Sequence, residues 1–551
     1  MKSEFITQEV AAMLRLHQLK LSLDQAAGLD SKTLKALCAA RLNIAPDKIR
    51  DARLKKRSVD ARMGVHFTVT VDLVLDSDAE EKKAARRFRP NELAYTPGGI
   101  PRPAPDVMHM DAAPWPREAA QPIVVGAGPA GLFCALALCR RGARPLLIDR
   151  GQPVEKRAQD VEALEQTGLL NPDSNVLFGE GGAGAFSDGK LTCGLSSPQI
   201  QTVLSTLVRY GAPEEILLSQ RPHIGTDVLR GVLKRIRGAL IASGAQVRFG
   251  WKLTGLALKD RKVTAAKMAH DGTEDTVPCS RVYLAIGHSA RDTCEWLHAL
   301  GLPMEPKPFA MGVRIEHLQS SVNQAQYGAQ AGHPALPPAE YKLNVPTPDG
   351  RGVYTFCMCP GGQVINASSE AGGINVNGMS LHARDGANAN AAVLVGVRPE
   401  DFGDAMGGIA LQRRIERAAY TGSLRAPCQR VEDFLAKRKS AGFGQVTPTY
   451  RPGVEWMDLN AVLPDFISEN LRLALPMLGQ KLRGFDHPDA LLTGPETRSS
   501  APLRMLRNAR RESPIGGLYP LGEGAGYAGG IVSAAVDGLC AGLDLERSLS
   551  K

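Results

Sequence analysis

Pro122-Ile-Val-Val-Gly126-Ala-Gly128-Pro-Ala-Gly131-Leu132 is the stretch on which the reading of this chain turns. An apolar strand runs into a Gly-x-Gly-x-x-Gly turn, and the turn opens a helix expected over Ala130–Arg141, apolar on most faces and so buried. Arg144-Pro-Leu-Leu-Ile-Asp149 follows, a second strand ending in an acid 23 residues after Gly126. Each part has a physical reason. Gly126 permits the tight turn, Gly128 lets backbone approach a pyrophosphate, and Gly131 lets the helix pack closely on the strand. The helix start at Pro129-Ala130 offers free N–H groups and the positive end of the helix dipole to phosphates. Asp149 can accept hydrogen bonds from ribose hydroxyls. The combination specifies a dinucleotide-binding strand–turn–helix–strand unit.

Working outward, two further stretches carry the bare glycine pattern. Gly179-Glu-Gly181-Gly182-Ala-Gly184 is followed by Phe-Ser187-Asp188-Gly189-Lys190, which has no helical period. Gly522-Glu523-Gly524-Ala-Gly526 has no acid at the right distance downstream. Both read as loops that contact the same bound molecule. They also account for much of the glycine excess: 57 of 551 residues, above the usual ~7%. The uncharged run Pro122–Cys139 is broken by Gly126, Gly128 and Pro129, so a strand and a buried helix explain it better than a membrane span.

The remaining chain supplies three units around this one. Residues 1–90 read as a small α+β N-terminal domain. A strand is expected at Met13–Leu21, a helix with Leu34, Leu37, Cys38 and Leu42 behind Asp30-Ser31, and an alternating strand over Val65–Leu75. Residues 91–120 carry eight prolines and glycines between Pro97 and Pro116 alone and read as an extended linker. Residues 121–305 and 490–551 are expected to form the dinucleotide-binding domain, and 306–489 a strand-rich substrate or cap domain inserted into it. The fold class is therefore α/β with a Rossmann-like core.

Composition narrows the class. The net charge is +9, of which +4 lies in residues 1–120 (20 Lys/Arg against 16 Asp/Glu). A solvated basic face accounts for that excess, so a nucleic-acid partner is not expected. Ten cysteines without a Cys-x-x-Cys pair fit reduced thiols in a cytoplasm, and no metal site is expected. The N-terminus has no secretory pattern.

Val-Val-Gly126-Ala-Gly128-Pro-Ala-Gly131-Leu with Asp149-Arg150-Gly151 resembles the FAD-binding start of the glutathione-reductase-like flavoproteins. The far C-terminal Tyr519-Pro-Leu-Gly522-Glu523-Gly524-Ala-Gly526-Tyr-Ala-Gly529-Gly530-Ile531 and the mid-chain Val282-Tyr-Leu-Ala-Ile-Gly287-His288 fit that superfamily too, with Ile286 where Thr is usual. Together with Phe178–Leu191, Cys357-Met-Cys-Pro-Gly-Gly362, Asn377-Gly-Met-Ser380 and Thr497-Arg-Ser-Ser-Ala-Pro502, the set resembles a bacterial FAD-dependent dehydrogenase family, the NAD(P)/FAD-dependent oxidoreductases. The resemblance implies a glutathione-reductase-like FAD domain. Gly126, Gly128, Pro129, Ala130 and Gly131 would hold the pyrophosphate and Asp149 the adenosine ribose. Arg150 would lie beside that ribose, with Arg157 on a phosphate and the strand ending at Leu253 along the adenine. Gly181, Gly182, Ser187, Asp188, Gly189 and Lys190 would wrap the ribityl or ring region. Gly287, His288, Gly522 and Glu523 would border it, and Gly529, Gly530 and Ile531 would aim the last helix, Ile531–Leu543, at the flavin.

Catalytic candidates follow from position. His288 could donate a proton or touch the flavin, and a structural histidine is the competing reading. Cys357 and Cys359, two apart in an expected strand Tyr354–Cys359, would face one side, either as redox thiols or as small buried residues. Arg498 could bind an anionic substrate. The expected function is two-electron hydride transfer between FAD and a small-molecule substrate, with NAD(P)H or a ferredoxin-type redox partner as electron donor. An O₂-using flavin monooxygenase and an RNA-binding flavoprotein are the alternatives.

Overall fold

The computed structural model describes residues 12–97 and 104–546. The chain divides into two compact units.

The first takes in residues up to 104 with two excursions, 213–222 and 326–339. Its four strands form an antiparallel sheet in the order Ile49–Asp60, His66–Leu75, Ala12–Leu21, Leu93–Pro97. The helix Ser31–Leu42 starts where Asp30 accepts the Thr33 N–H at 2.7 Å, and it buries Leu34, Cys38 and Leu42. Phe67, Val69, Val71, Leu73 and Leu75 turn one face of their strand into the same core. The basic run around Lys55 and Arg57 lies in an edge strand, Ile49–Asp60, which its sequence hides because charge replaces alternation. The Arg57 guanidinium lies 4.1 Å over the Phe67 ring, a cation–π contact that covers the edge of the core. Leu93–Pro97, inside the stretch expected as linker, pairs with Ala12–Leu16 instead. Part of that linker, 98–103, lies outside the described residues. From 104 to 120 the chain is irregular apart from one 3₁₀ turn, Val107–His109, which buries Val107.

The second unit is built on a five-stranded parallel sheet, ordered Leu518–Pro520, Val282–Leu284, Ile123–Val125, Leu146–Asp149, Gln246–Phe249. Its strands are short, apolar and buried on both faces at the centre, as parallel strands are. The helix Pro129–Arg140 follows the third strand in the order, and the final helix Ile531–Gly542 packs against it. That packing is close because glycine permits it. A Cβ at Gly538 would fall 1.8 Å from the Ala130 carbonyl oxygen. The C-terminus thus returns to the first turn of the dinucleotide unit. A three-stranded meander (Lys252–Lys259, Lys262–His270, Thr273–Pro278) follows the last parallel strand before the chain re-enters the sheet.

A seven-stranded sheet, mostly antiparallel, makes the rest: Asn344–Val345, Val353–Cys359, Asn388–Val397, Phe309–Leu318, Leu491–Glu496, Ala426–Arg430, Val454–Trp456. Leu491–Glu496 sits inside this sheet, beyond the boundary drawn at 490 from sequence; it pairs with Phe309–Leu318 on one side and Ala426–Arg430 on the other. Among the described residues no helix is long and apolar enough to cross a membrane.

Candidate active site

A cavity of ≈ 300 Å³ opens at the C-terminal ends of Ile123–Val125 and Val282–Leu284, where a parallel sheet of this kind leaves its crevice. Gly126 takes φ +100°, and a Cβ there would meet the Ala285 oxygen at 2.2 Å, so only glycine closes this turn. Gly131 is barred from any side chain by the Gly126 oxygen, 1.8 Å from where its Cβ would lie. Gly128 differs. It borders the cavity, and the nearest protein atom to its absent Cβ is Gly182 Cα at 3.7 Å. Gly287, Gly529 and Gly530 also border the cavity with nothing within 4 Å of the absent Cβ. Bare backbone therefore faces the cavity at four places where no protein atom crowds the absent side chain. Gly287 (φ +71°) and Gly530 (φ +137°) are held to glycine by their backbone conformation, whereas neither packing nor conformation requires it at Gly128 and Gly529.

Two helix starts meet the same space. Gly128 precedes Pro129–Arg140 and Gly530 precedes Ile531–Gly542, and no side chain caps either helix. Their first-turn N–H groups are the unfilled donors that bind phosphate or a developing anion. The second glycine loop backs directly onto the first, with the Gly181 N–H donating to the Ala127 oxygen at 2.8 Å. Asp149 borders the cavity while its carboxylate accepts the Ala127 and Gly151 N–H groups at 2.7 and 2.8 Å, leaving acceptor capacity for a ribose. His288 Nε2 and Ser289 Oγ, both beside the cavity, are buried without a hydrogen-bond partner. Orphaned polar atoms, bare glycine backbone and two uncapped helix starts fit a dinucleotide with a ring system beyond it.

The structure brings most of the expected residues to this cavity: Gly126, Gly128, Pro129, Ala130, Asp149, Arg150, Gly182, Ser187, Lys190, Leu253, Gly287, His288, Gly522, Glu523, Gly529, Gly530, Ile531, Cys357 and Arg498. Gly131, Gly181, Asp188, Gly189, Arg157 and Cys359 do not line it. Gly131 and Gly181 serve the packing just described. Arg157 is a correction to the phosphate contact expected of it. Fully buried, it donates to the carbonyls of Asn175, Val176, Gly179 and Glu180 at 2.7–3.3 Å and so ties the second glycine loop together. Burial pushes its guanidinium down to about 9. Asp188 is buried and pairs with Lys190 at 2.7 Å and with Arg384, while Gly189 (φ +69°) takes the turn between them. Arg150 reaches Asp292 at 2.9 Å and lies 4.5 Å over the Phe178 ring.

The seven-stranded sheet supplies another wall: Phe356 and Cys357, Glu496, then Arg498 and Ser499 beyond the strand end, with Asn377 from the neighbouring two-stranded sheet. Arg498 has little left for a substrate. Its guanidinium makes two bonds to Glu416, at 2.9 and 2.7 Å, and one to Ser369 at 2.5 Å. Glu416 also pairs with buried Arg291 at 2.7 Å. Burial alone would raise the Glu416 carboxyl, but the two guanidiniums overrule it and hold it far below the usual range. Burial, with Arg498 and Arg291 nearby, pushes His288 down to about 3 and so favours its neutral form. Its Nδ1 lies 3.8 Å from Glu523, whose carboxyl burial lifts to about 7 against the pull of Lys307. Sequence reasoning missed Phe356 and Glu496 at the cavity, while Trp251 and Lys252 lie in the stretch ending at Leu253 expected along the adenine. Glu496 was within reach, since it immediately precedes Thr497-Arg498-Ser-Ser, but an isolated acid in an apolar strand carries no pattern of its own.

Three family models match the chain: an FAD binding domain over residues 119–285, an FAD-dependent protein C-terminal domain-like model over 308–499, and a domain of unknown function over 13–74. An uncharacterized protein of Clostridium beijerinckii (strain ATCC 51743 / NCIMB 8052) is 42% identical over 539 residues, which is 96% of this chain and 97% of that protein. A geranylgeranyl bacteriochlorophyll reductase-like protein of Thermoplasma acidophilum aligns at 14% identity and TM-score 0.34, covering 77% of each chain. E. coli quinol fumarate reductase FrdA aligns at 12% identity and TM-score 0.34, covering 77% of this chain and 69% of that one. Likeness that loose adds nothing to the chemistry.

Proposed function

We propose a reaction class from one premise: the chain belongs to the same family as its clostridial relative, it carries an FAD binding domain and an FAD-dependent protein C-terminal domain-like segment, and FAD is its cofactor. The reading is a two-electron oxidoreductase acting on a small-molecule substrate. Its carrying observation is that the cavity holding the dinucleotide cradle is also walled by Cys357, Asn377 and Glu496, polar side chains outside every segment expected to hold the dinucleotide. When bound, FAD supplies a ring that accepts or gives an electron pair.

The protein's own groups have separable parts in this reading. Gly128, Pro129 and Ala130 bind the pyrophosphate, and Asp149 the adenosine ribose. The start of Ile531–Gly542 favours negative charge on whatever lies before it. Glu523 keeps a proton at its carboxyl close to neutral pH, and neutral His288 beside it can accept or donate one hydrogen bond at Nε2. We further read the fold as glutathione-reductase-like, with the N-terminal unit expected over residues 1–90, extended by the strand Leu93–Pro97, as a separate domain, and a cytoplasmic location. The electron donor in this reading is NAD(P)H, bound transiently without a second nucleotide-binding unit, or a ferredoxin-type protein.

The protein should purify yellow. Under anaerobic mixing with NADH, NADPH or reduced ferredoxin, one of the three should bleach the flavin absorbance. A colourless protein that takes up no FAD after refolding overturns the reading. Stoichiometric O₂ consumption coupled to substrate oxygenation would replace it with a monooxygenase.

A further inference from the structure

We propose that Cys357 and Cys359 form a redox-active dithiol in the wall of the FAD cavity, with Cys357 as the member that opens to the cofactor. The inference rests on the oxidoreductase reading above and adds a second two-electron store to it.

The backbone makes the pair possible. In a flat strand, residues two apart are separated by about 6.6 Å, too far for sulfurs that bond only when the Cβ atoms approach to ~3.5–4.5 Å. Val353–Cys359 is not flat here. Phe356 pairs with Ala392 and Cys359 with Asn390, so three steps on this strand match two on its partner. The extra residue is a β-bulge, and Cys357 takes it up at φ +42°, a conformation rare outside glycine. Bulges beside active sites re-aim side chains, and this one leaves Cys357 on the cavity while Cys359 is fully buried behind it. Gly362 makes room for the buried member, because a Cβ at that position would lie 2.9 Å from Cys359 Cβ.

The surroundings favour a thiolate at the exposed member. The Cys359 S–H donates to the Cys357 carbonyl oxygen at 3.2 Å, and the adjoining Cys359 side chain together with the positive charges of Lys190 and Arg314 holds the Cys357 thiol well below its ordinary value despite burial. The neighbouring thiol is correspondingly raised. Burial pushes Cys139, Cys294 and Cys428 the other way, up to about 12. Both cations are fixed. Lys190 pairs with Asp188 at 2.7 Å and donates to the Met358 carbonyl, between the two cysteines. Arg314 donates to the Cys357 carbonyl at 2.9 Å and reaches Cys359 Sγ at 3.8 Å, while Glu496 neutralises its far side at 2.7 Å.

The step balances. The Cys357 thiolate and the Cys359 thiol lose two electrons and one proton and form one S–S bond. Oxidised flavin takes those two electrons and the proton, so the single negative charge moves from sulfur to the acceptor. The reverse direction restores thiolate and thiol.

Anaerobic dithionite titration of the oxidised holoprotein counts the electrons. Wild type should take up about four per bound FAD, and Cys357→Ser or Cys359→Ser about two, because a disulfide and a flavin are each two-electron couples. Alkylation after denaturation should find two fewer free thiols in oxidised than in reduced wild type, with the lost pair in the peptide spanning 357–359. Uptake of two electrons by wild type, with all ten cysteines alkylated in the oxidised protein, overturns the dithiol and leaves the flavin reading standing. Failure of the flavin reading shows separately, as a protein without flavin absorbance. Both measurements on wild type decide the question even if a serine variant fails to fold.

Discussion

The two walls of the cavity are made in opposite ways. The wall around Gly126–Gly131, Gly287 and Gly529–Gly530 is backbone: its donors are helix-start N–H groups, and its shape depends on missing side chains. The wall around Lys190, Cys357, Glu496 and Arg498 is side chain: its shape depends on buried charges that cancel. The first should fail when atoms are added and the second when charge is removed. That difference sets what each substitution ought to do, and it can be broken from either side.

Adding atoms gives the largest effect. Gly131→Val places carbon against the Gly126 oxygen, 1.8 Å from the ideal Cβ, and neither helix nor strand can retreat. The expected outcome is loss of the folded protein, beyond the about 1–3 kcal/mol of ordinary overpacking. Soluble Gly131→Val with a wild-type melting curve would show that the glycine is not required by packing. Gly128→Val adds the same atoms where the closest protein atom is 3.7 Å away. Its unfolding free energy should stay within about 0.5 kcal/mol of wild-type apoprotein, as for changes that touch no packed group. FAD occupancy, read from flavin absorbance, should nevertheless vanish. Full occupancy in Gly128→Val would refute the pyrophosphate assignment.

This asymmetry explains what the sequence disclosed. The backbone wall is written locally, because turn, close approach and helix packing each demand glycine within a few residues, and the acid of Asp149 follows at the next strand end. The parallel sheet, the alternating strand ending at Leu75 and the helix behind Asp30 are equally local patterns. The side-chain wall is assembled from Lys190, Cys357 and Glu496, each over a hundred residues from the next in sequence, so no window contains it. Arg157 misled for the same reason. Near a phosphate motif an arginine reads as an anion ligand, and only the fold reveals four carbonyl oxygens waiting for it. The edge strand Ile49–Asp60 escaped because charge, which protects an edge, erases alternation. The bulge at Cys357 has no sequence signature, since it depends on the register against Asn388–Val397.

Removing charge comes next. Glu416→Gln keeps the shape but strips the anion shared by Arg291 and Arg498, whose side chains are 1% and 2% exposed. Breaking a buried pair on one side costs about 3–5 kcal/mol, most of it the burden of the cations left behind. Denaturant unfolding should show that loss with little change in slope. A loss below about 1 kcal/mol would mean that Glu370, which also reaches Arg291 at 2.7 Å, carries the balance alone.

Glu523 should give the smallest effect, and the sign distinguishes it. Burial raises its carboxyl from the ordinary 4.5 to about 7. Between those two values the folded protein holds a proton that the unfolded chain has released, so apoprotein stability falls as pH rises through this window. Below 4.5 both states are protonated and the contribution is constant; above about 7 both are ionised and the loss is complete. Glu523→Gln cannot titrate, so its stability should fall less steeply than wild type across this window, and the two profiles should run parallel at lower and higher pH. Parallel profiles throughout would mean that Glu523 ionises normally despite its burial. The side-chain wall would then lack a neutral acid beside His288, and the proton the reaction needs would have to come from solvent.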